Sequence, residues 1–270
     1  MNAERGTERG AAAAASSPPE RGTAAAASSP LAGRDVPPLV TLTVWGVGPA
    51  AVPGAALRMA LDRRHLARVP GLRFAKLLGT GDGRTFTVRD ADPLHWALLA
   101  AWDDPASATR FATGPTNRAW ARLARERLEL SLRPLASRGL WSGREPFGTP
   151  LPRRVGGPVA ALTRARIRTR RTRAFWRAVP PVSQDLHAVP GLRLALGIGE
   201  APIGLQGTFS LWENTSALVE FAHRRPAHVE VVGRTAREHW YAEELFARFE
   251  LLDAQGTFRG EHPLRGRAAA

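Results

Sequence analysis

Apolar and polar residues alternate with a period of two in several short stretches, which is typical of strands with one buried face. The first stretch is PLVTLTVWGV, which begins at Pro38. The next segment, VPGAALRMALDRRHLARV, has the length and spacing of a helix. The pattern therefore predicts a mixed α+β domain that starts near Leu39.

The remaining elements follow in the same order in two copies. In the first copy, LRFAKLLGTG and LHWALLAAWDD predict strands, and PASATRFATG predicts a short helix with proline in its first turn. TNRAWARLARERLELSL predicts a helix with Thr116 or Asn117 as N-cap, and a last strand ends near Trp141. In the second copy, VAALTRARI, LRLALGIGE, LQGTFSLWE and ARFELLDAQGTF predict strands. The segments TRAFWRAVPPVSQDLHAV, SALVEFAHR and HVEVVGRTAREHWYAEEL predict helices.

Sequence similarity between the copies indicates a duplicated module of about 100 residues. VPGLR begins at Val69 and again at Val189, and Trp102 matches Trp212. The order strand–helix–strand–strand–helix–strand is that of the split βαβ, or ferredoxin-like, unit. Two such units can close their sheets face to face into a barrel with the helices outside. We therefore expect tandem ferredoxin-like repeats that form a dimeric-α+β-barrel-like domain, with a ligand cavity between the two sheets.

The predicted repeats cover residues 39–150 and 151–263, with a leader at 1–38 and a tail at 264–270. The leader is rich in alanine, serine, glycine, proline and arginine and lacks large apolar side chains, so we expect it to be disordered. It also lacks the apolar core of a secretory signal, and no run of about 18 apolar residues occurs in the chain. These features predict a cytoplasmic protein.

Composition narrows the possible chemistry. The chain has no cysteine, which excludes disulfides, iron–sulfur clusters and thiolate-ligated haem. Its formal net charge is +14, so nucleic acid is the first partner to consider. The basic residues are almost all arginine, Lys76 being the single lysine, and no nucleic-acid-binding motif accompanies them. We expect the densest cluster, residues 163–177, to be solvated, with a membrane surface or a redox partner as the functional alternative.

Common catalytic motifs do not occur. GTGDGR, at residues 79–84, lies between two predicted strands and predicts a hairpin loop rather than a phosphate-binding loop. There is no serine-hydrolase elbow and no HExxH. Carboxylates such as Glu200 and Glu243 fall on predicted loops and helix faces, so a paired-carboxylate site is not predicted.

Three of the seven histidines fall within the 32 residues from Phe221 to Leu252: His223, His228 and His239. On one helix, His228 and His239 would differ by about 20° in direction but lie about 16 Å apart along the axis, so they cannot bind one metal ion. Either His228 or His239 could be a single axial ligand of a haem, and the other would then be structural. The alternative is that His228 caps the helix and His239 packs half-buried.

Several motifs together resemble the spheroidene monooxygenases, a family of acyclic carotenoid ketolases. They are AALTRARI, FWRAVPPVS, LGIGEAP, QGTFSLW, YAEELFARF, LGTGDGRTFT, WALLAAW and WSGREPF. The resemblance extends from about Leu39 to Pro263. It implies a haem-dependent monooxygenase that inserts oxygen from O2 into an apolar carotenoid or terpenoid, first to an alcohol and then to a ketone. It also implies a fold like that of haem-degrading and antibiotic-biosynthesis monooxygenases.

The resemblance also suggests site residues. His228 is the best match for an axial ligand of haem b, with His223 the nearest competitor and His239 weaker. If the cavity lies on their side of the strand, Arg164 or Arg166 would contact the haem propionates; the alternative is that both face solvent. Aromatic residues that would line an apolar cavity, or would serve as plain core, are Trp96, Trp102, Phe209 and Trp212. His95 would be a second polar group near the cavity.

The implied chemistry agrees with the composition. Attack on an unactivated C–H bond needs a redox cofactor, and without cysteine a histidine-ligated haem remains possible. The expected partners are an apolar small molecule, an external electron donor such as a ferredoxin-type protein and, transiently, a membrane surface. The leader is not part of the family pattern. The alternatives are a dehydratase or peroxidase-type enzyme of the same fold and a non-catalytic binder of haem or another apolar ligand.

Overall fold

The computed structural model describes residues 35–81, 90–167, 189–200, 207–224 and 241–265, all of which lie in one compact unit, Leu31–Ala270. The described strands are β1 (Leu39–Val47), β2 (Leu72–Gly81), β3 (Ala91–Trp102), β4 (Ala124–Gly139), β5 (Val159–Ile167), β6 (Leu192–Gly199), β7 (Gly207–Trp212) and β8 (Tyr241–Gly256). The described helices are a short 3-10 turn (Pro49–Ala51), α1 (Val52–Leu66), α2 (Pro105–Ala112), α3 (Pro115–Leu123) and α4 (Thr215–Arg224).

The strands form a closed antiparallel barrel in the order β1-β3-β2-β6-β7-β5-β8-β4. Strands β1 to β4 belong to the first copy and β5 to β8 to the second. The copies meet at two seams, the short β2–β6 pairing and the long β4–β8 pairing. The predicted α+β barrel of two ferredoxin-like units is confirmed.

Every second residue of most strands points into the barrel, and these side chains fill it. On β4, for example, Leu128, Leu130 and Leu132 are fully buried. Trp141 and Phe147, from the segment after β4, join the same interior cluster. The space in which we expected a ligand cavity is therefore occupied by the protein's own side chains.

The outward face of the first-copy sheet is covered by α1 and α3. Trp45 of β1 stacks on Trp120 of α3, with ring centroids 4.8 Å apart. The fully buried Asp62 of α1 accepts a hydrogen bond from the Trp120 indole nitrogen at 3.0 Å and pairs with Arg58 at 2.7 Å. These contacts fix the two helices to the sheet and to each other.

The internal duplication is visible in local geometry. Gly71 and Gly191, from the two VPGLR motifs, both have positive φ, +73° and +83°. Their carbonyl oxygens accept hydrogen bonds from Asp103 and Glu213, at 2.9 and 2.8 Å. Next along each copy, an Asp104 or Asn214 side chain caps the following helix by accepting a backbone hydrogen bond.

Two predicted helices are wrong at their C-terminal ends. TNRAWARLARERLELSL is helical only over α3 and continues as β4. The N-cap of α3 is Gly114, whereas Thr116 and Asn117 are buried inside the helix. The segment YAEEL, expected to end the last helix, is the start of β8.

The other predicted elements that fall within the described residues occur where expected, and β2 and β3 pair as the predicted hairpin. Its loop, residues 1–34 and the segments 168–188, 201–206, 225–240 and 266–270 lie outside the described residues. None of the described helices combines the length and apolarity needed to cross a bilayer.

Candidate functional site

Charged side chains enter the barrel at both of its ends. Strands β4 and β8 run antiparallel along the whole barrel, with Leu128 opposite Gly256 and Gly139 opposite Leu245. Glu126 at the start of β4 and Glu243 at the start of β8 are therefore at opposite ends. We call these the His95 end and the Arg164 end after one basic residue of each cluster.

At the Arg164 end, two cations and two carboxylates form one network. The Arg164 side chain is 4% exposed and pairs with Glu200 at 2.9 Å and with Glu243. The Lys76 ammonium lies 2.8 Å from the Glu200 carboxylate and donates to Ser142 Oγ at 2.6 Å. Of the two arginines considered on β5, Arg164 is buried and pairs with the chain's own carboxylates, whereas Arg166 is exposed.

Trp141 covers this network. Its indole nitrogen donates to Glu200 Oε1 at 2.7 Å, and the Arg164 guanidinium lies 5.5 Å from its ring centroid. Burial alone would raise the pKa of Glu200, but hydrogen bonds from Lys76 and Trp141 and the nearby cations hold that pKa below its ordinary value. The carboxylate therefore stays ionised and is not suited to act as a general acid near neutral pH.

At the His95 end, an imidazole lies between two carboxylates. His95 Nδ1 is 2.8 Å from Asp92 Oδ2, and His95 Nε2 is 3.4 Å from Glu126 Oε2. Arg259 also donates to Asp92 at 2.8 Å, and Phe258 packs edge-on against the imidazole. Burial alone would lower the pKa of His95, but hydrogen bonding and charge attraction from Asp92, together with Glu126, raise that pKa above its ordinary value.

The carboxylates at the two ends hold equivalent turns. Glu126 accepts hydrogen bonds from the backbone of Arg259 and Gly260 at 3.0 and 2.6 Å. Glu243 accepts them from Ser142 and Gly143 at 3.0 and 2.8 Å. Both ends are therefore closed by a turn that is hydrogen-bonded to an inward glutamate. The ends differ in the basic side chain that contacts this glutamate, which is His95 at one end and Arg164 at the other.

Three of the aromatic residues expected to line a cavity between the sheets face the other way. Trp96 and Trp102 belong to the outer layer beneath the first-copy helices, and Trp212 packs outside the barrel beside α4. Only Phe209 of that set faces the interior. The reason is strand alternation: Phe209 and Trp212 are three residues apart on β7 and so point to opposite faces.

The outward faces of the two sheets differ in side-chain size. Leu39 pairs with Trp102 in the first copy, and Val159 pairs with Trp212 in the second, so β1 and β5 can be aligned from these residues. Six residues further along each strand, Trp45 corresponds to Ala165. By the same registers, the second copy has small or polar residues where the first has leucine or alanine: Gly197 for Leu77, Thr208 for Leu98 and Ser210 for Ala100. Ala165, Gly197 and Ser210 are buried. At two of these positions, Ala165 and Gly197, the side chain on the outer face of the second copy is therefore smaller than its counterpart in the first copy.

The predicted site residues do not form one cluster. His95 and Arg164 are at opposite ends of the barrel, and Arg166 is exposed at the edge of β5. His223 falls in the last turn of α4, and His228 and His239 lie outside the described residues. Across the described ranges, no group of three or more His, Asp or Glu side chains is arranged to hold a metal ion.

Sequence reasoning missed the partners of Arg164. Glu200 and Glu243 were expected on loops and helix faces, and Lys76 was noted only as the single lysine. The alternation of residues along the strands could have predicted them. Lys76, Glu200 and Glu243 each stand in a series in which every second residue is apolar and points into the barrel.

Comparison with curated proteins identifies the family. The chain is 38% identical over 223 residues to the spheroidene monooxygenase of Rhodobacter capsulatus, covering 80% of this chain and 91% of that protein. It is 37% identical over 231 residues to the spheroidene monooxygenase of Rubrivivax gelatinosus, covering 85% and 87%. The chain belongs to the spheroidene monooxygenase family. It is therefore an oxidoreductase of the monooxygenase class, as its motifs predicted.

Solved structures confirm the fold. An aldoxime dehydratase structure matches with a TM-score of 0.54 at 13% identity, covering 86% of this chain and 87% of that one. A second aldoxime dehydratase, in complex with butyraldoxime, matches with a TM-score of 0.51 at 12% identity, covering 83% of each chain. No protein-family model matches the chain.

Proposed function

We propose that this protein is a haem-dependent monooxygenase that oxidises a carotenoid-like apolar molecule. Its family membership supports the substrate class, because the relatives are named for the carotenoid spheroidene. The observation that carries the haem proposal is the difference between the two outward sheet faces. A flat apolar cofactor needs space beside a sheet, and the smaller residues Ala165 and Gly197 of the second copy favour that face over its counterpart.

The residues of the second copy fit such a group. Ala165, Gly197 and Thr208 would form the floor of the site on the outward face of β5, β6 and β7. Trp212 would bound it at one end, where its ring packs on Phe221 at 5.2 Å. The Trp212 indole nitrogen donates to Ser210 Oγ at 2.9 Å, so the polar group of this wall is satisfied within the protein. The wall is thus suited to exclude water from an apolar ligand.

Histidine remains the ligand proposed for the iron. His228 is the first choice and His223 the second, because both follow the strand that ends in Trp212 and belong to the same copy as the small residues. The bound haem would supply the activation of O2 that side chains lack. An external redox protein of the ferredoxin type would supply the electrons.

Arg164 does not fit the propionate role on this face. It continues the inward series of Ala160 and Leu162, so it lies on the other side of β5 from Ala165. Arg166 shares its side of the strand and is exposed at the edge. In this proposal Arg164 supports the barrel end, and His95 belongs to the opposite end.

The haem proposal is tested by the absorption spectrum of the protein purified with added haem. A Soret band is expected, and it should be lost in His228→Ala and kept in His239→Ala. Retention in His228→Ala with loss in His223→Ala would move the ligand to His223. Absence of the band from a folded wild-type protein would refute the haem proposal.

The reaction is tested by feeding an acyclic carotenoid to a host that expresses the protein. A product that carries oxygen from labelled O2 is expected. The dehydratase alternative predicts loss of water without consumption of O2, and a non-catalytic binder predicts no product. The shared fold alone does not favour either alternative.

A further inference from the structure

Helices α1 and α3 lie side by side on the first copy, and α1 exposes apolar side chains to solvent. Leu57 is 58% exposed and Leu61 is 51% exposed. With Arg64 they occupy positions i, i+4 and i+7, which share one face of the helix. The opposite face, which includes Met59 and Leu66, is buried against the sheet. The exposed leucines are therefore additional to the core-facing stripe of α1.

Exposed arginines lie on α1, on α3 and just after each helix. They include Arg64, Arg68, Arg118, Arg122 and Arg125. Within the described residues none of the five takes part in an ion pair. The only acidic residue in 48–72 and 113–125 is Asp62, which is fully buried. We call this set, with Leu57 and Leu61, the α1–α3 face.

Exposed arginines together with exposed leucines form a surface suited to contact with anionic lipids. Anionic headgroups attract the arginines, and the leucines can enter the boundary between headgroups and acyl chains. An acidic protein partner would account for the arginines but gives no reason for two half-exposed leucines one helical turn apart. We propose that the α1–α3 face binds the surface of membranes that contain anionic phospholipids.

This contact is separate from the proposed haem site, which lies on the other copy. The contact would hold the enzyme at the membrane, where a carotenoid-like substrate is dissolved. It does not require haem, substrate or turnover, so the full-length protein without added haem is sufficient for the test. Failure of the haem proposal would leave the membrane result intact, and the reverse also holds.

Vesicle sedimentation tests the proposal. The full-length protein should bind phosphatidylcholine vesicles that contain about 30% phosphatidylglycerol and should not bind pure phosphatidylcholine vesicles. Leu57→Gln/Leu61→Gln and Arg64→Gln/Arg68→Gln/Arg118→Gln/Arg122→Gln should each weaken binding by about tenfold or more. Both sets are exposed, so circular dichroism should show unchanged folding.

Matched variants elsewhere on the surface are the controls. Leu151→Gln/Leu264→Gln removes two other exposed leucines, and Arg144→Gln/Arg154→Gln/Arg248→Gln/Arg265→Gln removes the same charge. Both should bind vesicles about as well as the wild type. The proposal is overturned if the controls lose as much binding as the test variants. It is also overturned if the leucine variant binds normally, because binding would then follow net charge alone.

Discussion

At the scale of single residues, the inward carboxylate of Glu243 binds both a buried arginine and a turn of the backbone. It is 11% exposed, pairs with Arg164 and accepts two backbone hydrogen bonds from the turn after β4. Glu243→Gln keeps the shape but removes the charge, which leaves the buried guanidinium with weaker compensation. We expect the free energy of unfolding to fall by about 2–4 kcal/mol, measured by urea denaturation.

Glu250→Gln is the matched control, since Glu250 is on the same strand and pairs with Arg153 and Arg133 at the surface. Its cost should stay below about 1 kcal/mol because solvent screens exposed pairs. Equal losses of unfolding free energy in Glu243→Gln and Glu250→Gln would show that the carboxylate at the barrel end stabilises the protein no more than one at the surface.

His95 predicts a pH dependence of stability. The pKa of His95 is raised in the folded protein, so protonation of His95 contributes to the free energy of unfolding. This contribution is complete below the pKa of the unfolded state and is lost as pH rises through the pKa of the folded state. The pKa values of Asp92 and Glu126 are lowered, because hydrogen bonds and the nearby cations outweigh burial. Their contribution is lost as pH falls through those lowered values. His95→Gln should therefore destabilise the protein most in the mildly acidic range, between the carboxylate and histidine pKa values.

Urea denaturation of His95→Gln and the wild type from pH 5 to pH 9 measures this effect. The difference between the two unfolding free energies should shrink as pH rises. His262→Gln is the control, since its imidazole contacts only backbone groups among the contacts described. A pH-independent difference for His95→Gln would mean that the imidazole contributes by packing rather than by charge.

At the scale of elements, the two long strands end at glycines that no other residue can replace freely. Gly139 ends β4 with φ +91°, and a Cβ there would lie 2.2 Å from the carbonyl oxygen of Glu244. Gly256 ends β8 in the same way, with φ +81° and the Arg127 oxygen at 2.0 Å. Gly139→Ala should lower the free energy of unfolding by about 1–3 kcal/mol or more, because it adds backbone strain to a steric clash.

The control for this substitution is Gly157→Ala, where φ is not in the left-handed region and no atom lies within 4 Å of the added Cβ. Thermal denaturation should show a change within about 0.5 kcal/mol for Gly157→Ala. An equally small loss of stability in Gly139→Ala would contradict this prediction. It would mean that the end of β4 can shift to accept a Cβ, and that Gly139 does not fix the position of the turn bound to Glu243.

β4 and α3 show why most, but not all, elements could be predicted. Alanine, arginine, leucine and glutamate in RAWARLARERLELSL favour a helix, and a helix does form as far as Leu123. Beyond it, Leu128, Leu130 and Leu132 alternate with polar residues, and their burial in the barrel outweighs helix propensity. Short strands with β-branched residues carried no such conflict and were predicted correctly. The charged networks could not be predicted, because Lys76 and Glu200 belong to different copies and meet only when the barrel closes.

At the scale of the whole molecule, the two halves of the barrel differ in the side chains of their outward layers. The first copy fills its outward layer with Trp45, Trp96 and Trp120 and holds two helices rigidly against the sheet. In the second copy, Ala165 matches Trp45 and Gly197 matches Leu77, and both are buried. The first half is therefore suited to supply stability, and the function proposed above assigns the ligand to the second half.

Exchange of the matched residues between the halves tests this division. Trp45→Ala should remove about 3–5 kcal/mol of stability, because it empties a fully buried position, while haem binding by the remaining folded protein is unchanged. Ala165→Trp should have the opposite profile, with a loss of stability of about 1–3 kcal/mol in the haem-free protein and loss of the Soret band, since the indole would occupy the proposed ligand site. Thr208→Leu, which copies Leu98, should act in the same direction. If Ala165→Trp instead unfolded the haem-free protein, the space beside Ala165 would already be filled by the chain itself, and the ligand would have to bind elsewhere.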